Sequence, residues 1–186
     1  MSVNKGDDYI DSRDVINEIA ELESDREALS DAIDEAKEAL EEAQKAVNEA
    51  KEDIDLANHG TSQAIDEACA VLGVRENALA EAQEAYDNAK ADLEEWDESE
   101  EATQLKELQD LNDQCENEGD WSYGVTLIHD SAFEDYARRE AEDLGLISSD
   151  TRWPATCIDW EQAADELKAD FTTIEWGDET YHMRAC

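Results

Sequence analysis

The chain has 186 residues, with 53 acids against 14 bases and a formal net charge of −39. A charge of that size repels nucleic acid, anionic membrane and acidic substrates, and it favours basic protein surfaces through a long-range attraction that salt weakens. Apolar residues make up 40%, but alanine inflates the figure and Phe, Ile, Leu and Val are thinly spread, so a large globular core is not expected.

Residues 1–11 read as an N-terminal arm. The opening MSVNKGDDYI has no apolar leader region, and no run approaches the roughly 18 apolar residues of a membrane span. From Ser12 the apolar residues repeat at alternating steps of four and three: Val15, Ile19, Leu22, Arg26, Leu29, Ile33, Ala36, Leu40, Ala43, Val47, Ala50, Ile54. This is a coiled-coil seam whose one charged member is Arg26.

Asn58-His59-Gly60-Thr61-Ser62 breaks the helix. Gly60 is expected to give a left-handed C-terminal cap, and Thr61 or Ser62 to cap the next helix. A second seam follows at once: Ile65, Ala68, Leu72, Arg75, Leu79, Ala82, Tyr86, Ala89, Leu93, Trp96.

Folding the two segments about Gly60 brings Ile54 to Ile65, Val47 to Leu72, Leu40 to Leu79 and Ile33 to Tyr86. That agreement favours an antiparallel hairpin over a parallel dimer and sets Arg26 beside Leu93 and Trp96, where it can stack on the indole. Near residues 97–99 the heptad phase is lost, through a stutter or a true break. Ser99-Glu100-Glu101 looks like a fresh helix start, with Leu105, Leu108, Leu111 and Cys115 as its stripe.

Residues 118–186 change in texture. Gly119 to Gly124 is an aromatic loop, and Val125 to His129 a short apolar piece of either type. Asp130 or Ser131 caps a helix that Gly145 ends, with Phe133, Tyr136, Ala137, Ala141 and Leu144 on one face. In WPATCIDWEQAADELK, Asp159 and Gln162 resemble a capping box, so Trp160 to about Asp170 should be helical. Trp153, Cys157, Ile158 and Trp160 are expected to pack as a core nucleus around its start. FTTIEWGDETYHMR reads as two strands joined at Gly177-Asp178. The fold class is thus mainly α: a long antiparallel helical hairpin over 12–117, turning at 58–62, plus a small C-terminal α+β module over 118–186 that ends in a β-hairpin.

Signals for chemistry are weak. Cys69, Cys115, Cys157 and Cys186 form no CxxC pair, so neither a disulfide framework nor a zinc module is indicated. There is no phosphate loop, GxSxG, HExxH or calcium loop, and no metal or cofactor is expected. A Cys157/His129 or Cys157/His182 nucleophile pair is the remote enzymatic alternative. Arg138-Arg139 is the one basic doublet and acids surround it, leaving DNA affinity without a source.

The acidic helices invert that argument. Residues 12–57 hold 16 acids and 58–117 hold 17. A 46-residue helix is about 69 Å long, which gives a gross acid about every 2.1 Å of axis, against one phosphate charge per about 1.7 Å in duplex DNA. Ordinary coiled coils balance acids with bases at their flanking positions, and this one does not.

The C-terminal part resembles ArdA-type antirestriction proteins and related small acidic phage and plasmid proteins. Phe133, Tyr136, Ala137, Glu140, Asp143 and Gly145 match their first helix pattern, and Ile158, Asp159, Trp160, Glu161, Ala164 and Leu167 their second. The resemblance spans about 55 residues; the long hairpin has no counterpart in that family. It implies a protein that imitates DNA in shape and charge; the cytoplasm of a bacterial host cell is the expected location, since no leader or membrane span is read and the thiols read as reduced.

The expected function is therefore a non-enzymatic, DNA-mimicking inhibitor of a bacterial defence or DNA-processing enzyme, such as a restriction-modification enzyme, a CRISPR effector or a nuclease-helicase. Its partner is a basic DNA-binding protein or nuclease complex; no direct nucleic acid and no membrane is expected, and a homodimer is possible. The outer-face acids Glu38, Glu41, Glu42, Glu49, Glu52, Glu81, Glu84, Glu94 and Glu95 would meet the target's Arg and Lys. The alternatives are a coiled-coil adaptor with the C-terminal module as recognition domain, and adaptation of the whole surface to high salt.

Overall fold

The computed structural model describes residues 3–57, 59–116, 120–148, 153 and 155–184. Asn58 of the turn, Gly119, Pro154, Cys186 and the 117–118 boundary lie outside them. The elements are β1 (Tyr9–Asp11), α1 (Ser12–Ala57), α2 (Ser62–Asp97), α3 (Glu100–Cys115), α4 (Trp121–Gly124), β2 (Thr126–His129), α5 (Phe133–Asp143), α6 (Trp160–Lys168), β3 (Thr172–Trp176) and β4 (Glu179–Met183). Single 3₁₀ turns at Asp130–Ala132 and Ala155–Cys157 precede α5 and α6. The chain divides into two compact units, Glu23–Ala102, and Met1–Leu22 with Thr103–Cys186.

In the first unit α1 and α2 pack together as an antiparallel hairpin. Seam residues from Leu29 to Ile54 and from Ile65 to Trp96 are all buried or half-buried, and nearly every residue between them is exposed. Val47 and Ala50 are the most enclosed. Arg26 lies where the pairing placed it. Its guanidinium is 5.9 Å from the Trp96 ring centre, and its Nε donates to Asp97 Oδ1 at 2.9 Å. A seam cation is tolerated there because the indole face and a carboxylate replace its water.

Thr61 caps α2, its Oγ1 accepting the Ala64 amide at 3.3 Å. The left-handed cap expected at Gly60 does not form, since Gly60 is not among the glycines with positive φ. Instead the His59 amide donates to the Leu56 carbonyl (3.3 Å) and the Gly60 amide to the Ala57 carbonyl (2.7 Å). Bonds of this i to i−3 type tighten the last turn and satisfy its carbonyls without a left-handed residue. At the other end the helices break. α2 stops at Asp97, and Ser99 Oγ accepts the Ala102 amide at 3.2 Å to start α3.

The second unit is built on a four-stranded antiparallel sheet in the order β1-β2-β4-β3. Residues 9–11 of the arm are thus an edge strand, with Tyr9 opposite Ile128 and Asp11 opposite Thr126. Register puts Ile10, Leu127, Tyr181, Met183, Ile174 and Trp176 on one face, and all are buried. The buried stripe of α3, Leu105, Leu108, Leu111 and Cys115, belongs to this unit and not to the hairpin, and Gln114 Nε2 ties α3 to the Glu175 carbonyl at 3.1 Å. Ser12, fully buried at the start of α1, donates to the Trp121 carbonyl (2.6 Å) and accepts the Val125 amide (2.8 Å).

The opposite sheet face carries Ile128, which packs with Ala132, Phe133, Ala137 and Ala164 of the α5–α6 layer. β2 and β4 are therefore buried on both faces, which is why their apolar residues do not alternate. A Schellman motif ends α5: Leu146 and Gly145 donate to the carbonyls of Ala141 and Glu142 (2.9 Å each), with Gly145 at φ 69°. Asp159 caps α6 through Oδ1 and the Gln162 amide at 3.1 Å. In the hairpin turn Gly177 takes φ 62° and Asp178 stays at negative φ, the form with glycine first.

Two expectations fail here. Leu144 is 65% exposed because the Schellman turn carries it off the buried face, and the WPATCIDW cluster is not a core nucleus. Trp153 is 74% exposed, Cys157 is exposed, and Ile158 and Trp160 are half-buried. The core space is already filled by Phe133, Tyr181, Leu108, Leu111 and Met183, and Trp160 instead lies under the Arg138 guanidinium, 5.4 Å from its ring centre.

Candidate partner-binding surface

The hairpin unit holds 26 acids and six bases, a net charge of −20. Every one of those acids is exposed, including Glu38, Glu41, Glu42, Glu49, Glu52, Glu81, Glu84, Glu94 and Glu95. A helix seam accounts for this: with apolar residues confined to the a and d positions, the remaining five of each heptad must face water. Of the nine glutamates, Glu49 is in an ion pair, with Lys45 at 3.9 Å.

Antiparallel pairing grades the charge along the hairpin. The half at its open end, residues 23–40 with 81–102, carries 17 acids and three bases; the half at the turn, residues 41–80, carries nine and three. Glu38, Glu81, Glu84, Glu94 and Glu95 fall in the dense half, and Glu41, Glu42, Glu49 and Glu52 in the sparse one. Asp92, Glu98, Glu100 and Glu101 belong to the dense half too and were not singled out from the sequence. The signal was there, since residues 92–101 contain seven acids.

Near the turn the surface changes character. Residues 68–74 (ACAVLGV) carry no charge, and Val71, Val74 and Leu56 are 47%, 69% and 73% exposed.

Like charges this dense repel one another, most strongly at low ionic strength. The midpoint of thermal unfolding, followed by circular dichroism at 222 nm, is expected to rise by several degrees between about 10 and 300 mM salt, as the screening length falls from about 30 Å to below 10 Å. Folding only in molar salt would instead mark a halophilic surface.

In the globular unit the histidines are engaged by carboxylates. His182 is 5% exposed, with Nε2 2.8 Å from Asp130 Oδ1 and its ring edge-on to Phe133. Lys168 Nζ reaches the same oxygen at 2.5 Å. His129 Nε2 lies 2.8 Å from Glu179 Oε2, and Nδ1 2.6 Å from Ser131 Oγ. Cys157 is exposed on its 3₁₀ turn. Among the described residues no three His, Cys, Asp or Glu side chains converge as a metal site, and no helix is long and apolar enough to cross a membrane.

The Lys168 hydrogen bond, followed by that of His182, holds the Asp130 carboxyl below the usual carboxylate range against the opposing effect of burial. A depressed folded-state value means that the unfolded chain takes up the proton first. The contribution is then fully present above about pH 4, the ordinary aspartate value, and is lost as pH falls through the lower folded value. Asp130→Asn is accordingly expected to flatten the fall of the unfolding midpoint below pH 4 relative to the parent chain in thermal melts.

No protein-family model, curated protein or solved structure matches this chain.

Proposed function

We propose that the protein is a non-enzymatic inhibitor that imitates duplex DNA and occupies the basic DNA channel of a bacterial defence or DNA-processing enzyme. The observation that carries this reading is the exposure of all 26 hairpin acids with six bases among them. α2, at 36 residues, is about 54 Å long and two packed helices are about 20 Å across. The gross spacing is then an acid about every 2 Å, close to the duplex value of about 1.7 Å. The ArdA-like positions of α5 and α6 point to the same class. A channel evolved for phosphates offers Arg and Lys in rows, and the hairpin offers carboxylates in rows at matching density.

The test is capture from a bacterial lysate by the immobilised full chain at low salt, followed by elution with duplex DNA. Release of a DNA-binding enzyme by DNA supports mimicry. A complex indifferent to salt between about 50 and 500 mM would rule it out, because contacts between exposed charges are screened in that range.

The uncharged, exposed Val71 and Val74 favour a second reading, an adaptor that docks a partner near the hairpin turn. An adaptor of this kind tolerates loss of the outer-face acids.

A further inference from the structure

We propose that the globular unit carries a binding site for a small ligand consisting of a planar ring with an N–H donor and an anionic group. The site is a cleft of about 360 Å³ lined by Asp120 and residues of α4, β2 and α5, by Phe171 before β3 and by Arg184 after β4. Small-molecule sites start at about this size and combine apolar walls with a few placed polar groups.

The walls are aromatic. Tyr136 and Phe171 meet edge to face with ring centres 5.7 Å apart, Ile128 is a buried apolar lining residue, and Tyr123, 79% exposed, presents its ring to solvent. An exposed tyrosine on a short helix contributes little to the fold and is free to cover a ring entering the cleft.

The anion subsite is Arg184. In a chain with so few bases this guanidinium lines the cleft, its Cζ 4.9 Å from the Phe171 ring centre and its Nη1 ion-paired with Glu140 Oε1 at 3.3 Å. That bond engages one of five donors, and the side chain is 42% exposed. A fixed guanidinium fork with donors to spare suits carboxylate or phosphate oxygens, which it takes two at a time. Asp120, the carboxylate among the lining residues, disfavours a bare anion and accepts an N–H carried by the ring system, such as the exocyclic amino group of adenine or the N–H of indole. Gly124, also in the lining, has φ 107°, and a Cβ there would come within 2.7 Å of Arg13 Nε. The cleft edge is thereby fixed in a bare-backbone form against the Arg13 side chain, whose guanidinium is taken up by Asp11.

The site is independent of the hairpin and of the inhibitory reading. Calorimetric titration of the full chain with adenosine 5′-monophosphate and with indole-3-acetate tests it, each beside its uncharged counterpart, adenosine and indole-3-acetamide. At least one anionic probe is expected to bind with Kd below about 1 mM, at least tenfold tighter than its counterpart, and to shift the amide resonances of Tyr123, Thr126 and Phe171. Preference for the nucleotide or for the acetate identifies a phosphate or a carboxylate ligand. Arg184→Gln should weaken binding at least tenfold. Tyr123→Ala, which cuts an exposed ring and leaves the fold intact, should weaken it severalfold. Millimolar or weaker binding of both anionic probes, or binding unchanged by Arg184→Gln, by Tyr123→Ala or by removal of the probe's charge, overturns the proposal.

Discussion

Replacing Glu81, Glu84, Glu94 and Glu95 together by lysine is expected, on the proposed DNA-mimic reading, to weaken binding to the target at least about 100-fold at 100 mM salt, with helix content unchanged. All four are exposed and lie in the denser half of the hairpin. None of them is a seam residue, so the substitutions leave the apolar contacts of α1 and α2 intact and lower the net repulsion of the unit. In the complex each attraction becomes a repulsion, and if each exposed contact contributes about 0.5–1 kcal/mol, four reversals amount to several kcal/mol. Competition binding against duplex DNA, with circular dichroism as control, measures the effect. The same change at Glu41, Glu42, Glu49 and Glu52 should have a smaller effect, because that half carries little more than half as many acids. An adaptor docking through Val71 and Val74 would keep its affinity in both variants.

Phe133→Ala should destabilise the globular unit by about 3–5 kcal/mol, the usual cost of removing a fully buried aromatic ring. Phe133 is 0% exposed and meets Tyr136, Phe171 and His182 at ring distances of 5.0–5.4 Å, so the ring leaves a void between sheet and helices that its neighbours cannot fill without leaving their own contacts. Two probes separate the units. Near-ultraviolet circular dichroism reports buried Trp121 and Trp176, while the 222 nm signal is dominated by the long helices. The near-ultraviolet transition in urea is expected to move to lower concentration while most of the 222 nm signal persists.

Both seams were legible in the sequence because a step alternating between four and three over many turns has few other physical solutions, and the predicted pairing placed even Arg26 correctly against Trp96. Exposure of the candidate glutamates was legible for the same reason. The cap at Gly60 was misread because glycine permits a left-handed residue without requiring one, and two 3₁₀-type bonds satisfied the helix end instead. β1 was invisible. Three residues carry no periodicity, and their strand exists through pairing with residues more than a hundred positions away. The same long-range contacts hid the affiliation of Leu105, Leu108 and Leu111, correctly assigned to one face of one helix but to the wrong unit. Trp153 and Cys157 failed differently: residue type indicates what is suited to burial, whereas burial itself depends on whether neighbours leave room. The cleft around Arg184 was not foreseen, since no spacing in the sequence announces residues drawn from four separate segments.

The globular unit is discontinuous, its sheet drawing on residues 9–11 and on residues 126–183 with the hairpin between them in the chain. An unstructured insert of 80 residues would impose a loop-closure cost whose length-dependent part is about 4 kcal/mol. The hairpin removes most of it. Its pairing starts from a short turn, and the closing pair of Arg26 with Asp97 at 2.9 Å holds the two ends of the insert side by side. The acidic hairpin therefore also acts as a chain-shortening device: it returns the chain from residue 22 to residue 103, both in the globular unit, at less entropic cost than a disordered insert of the same length.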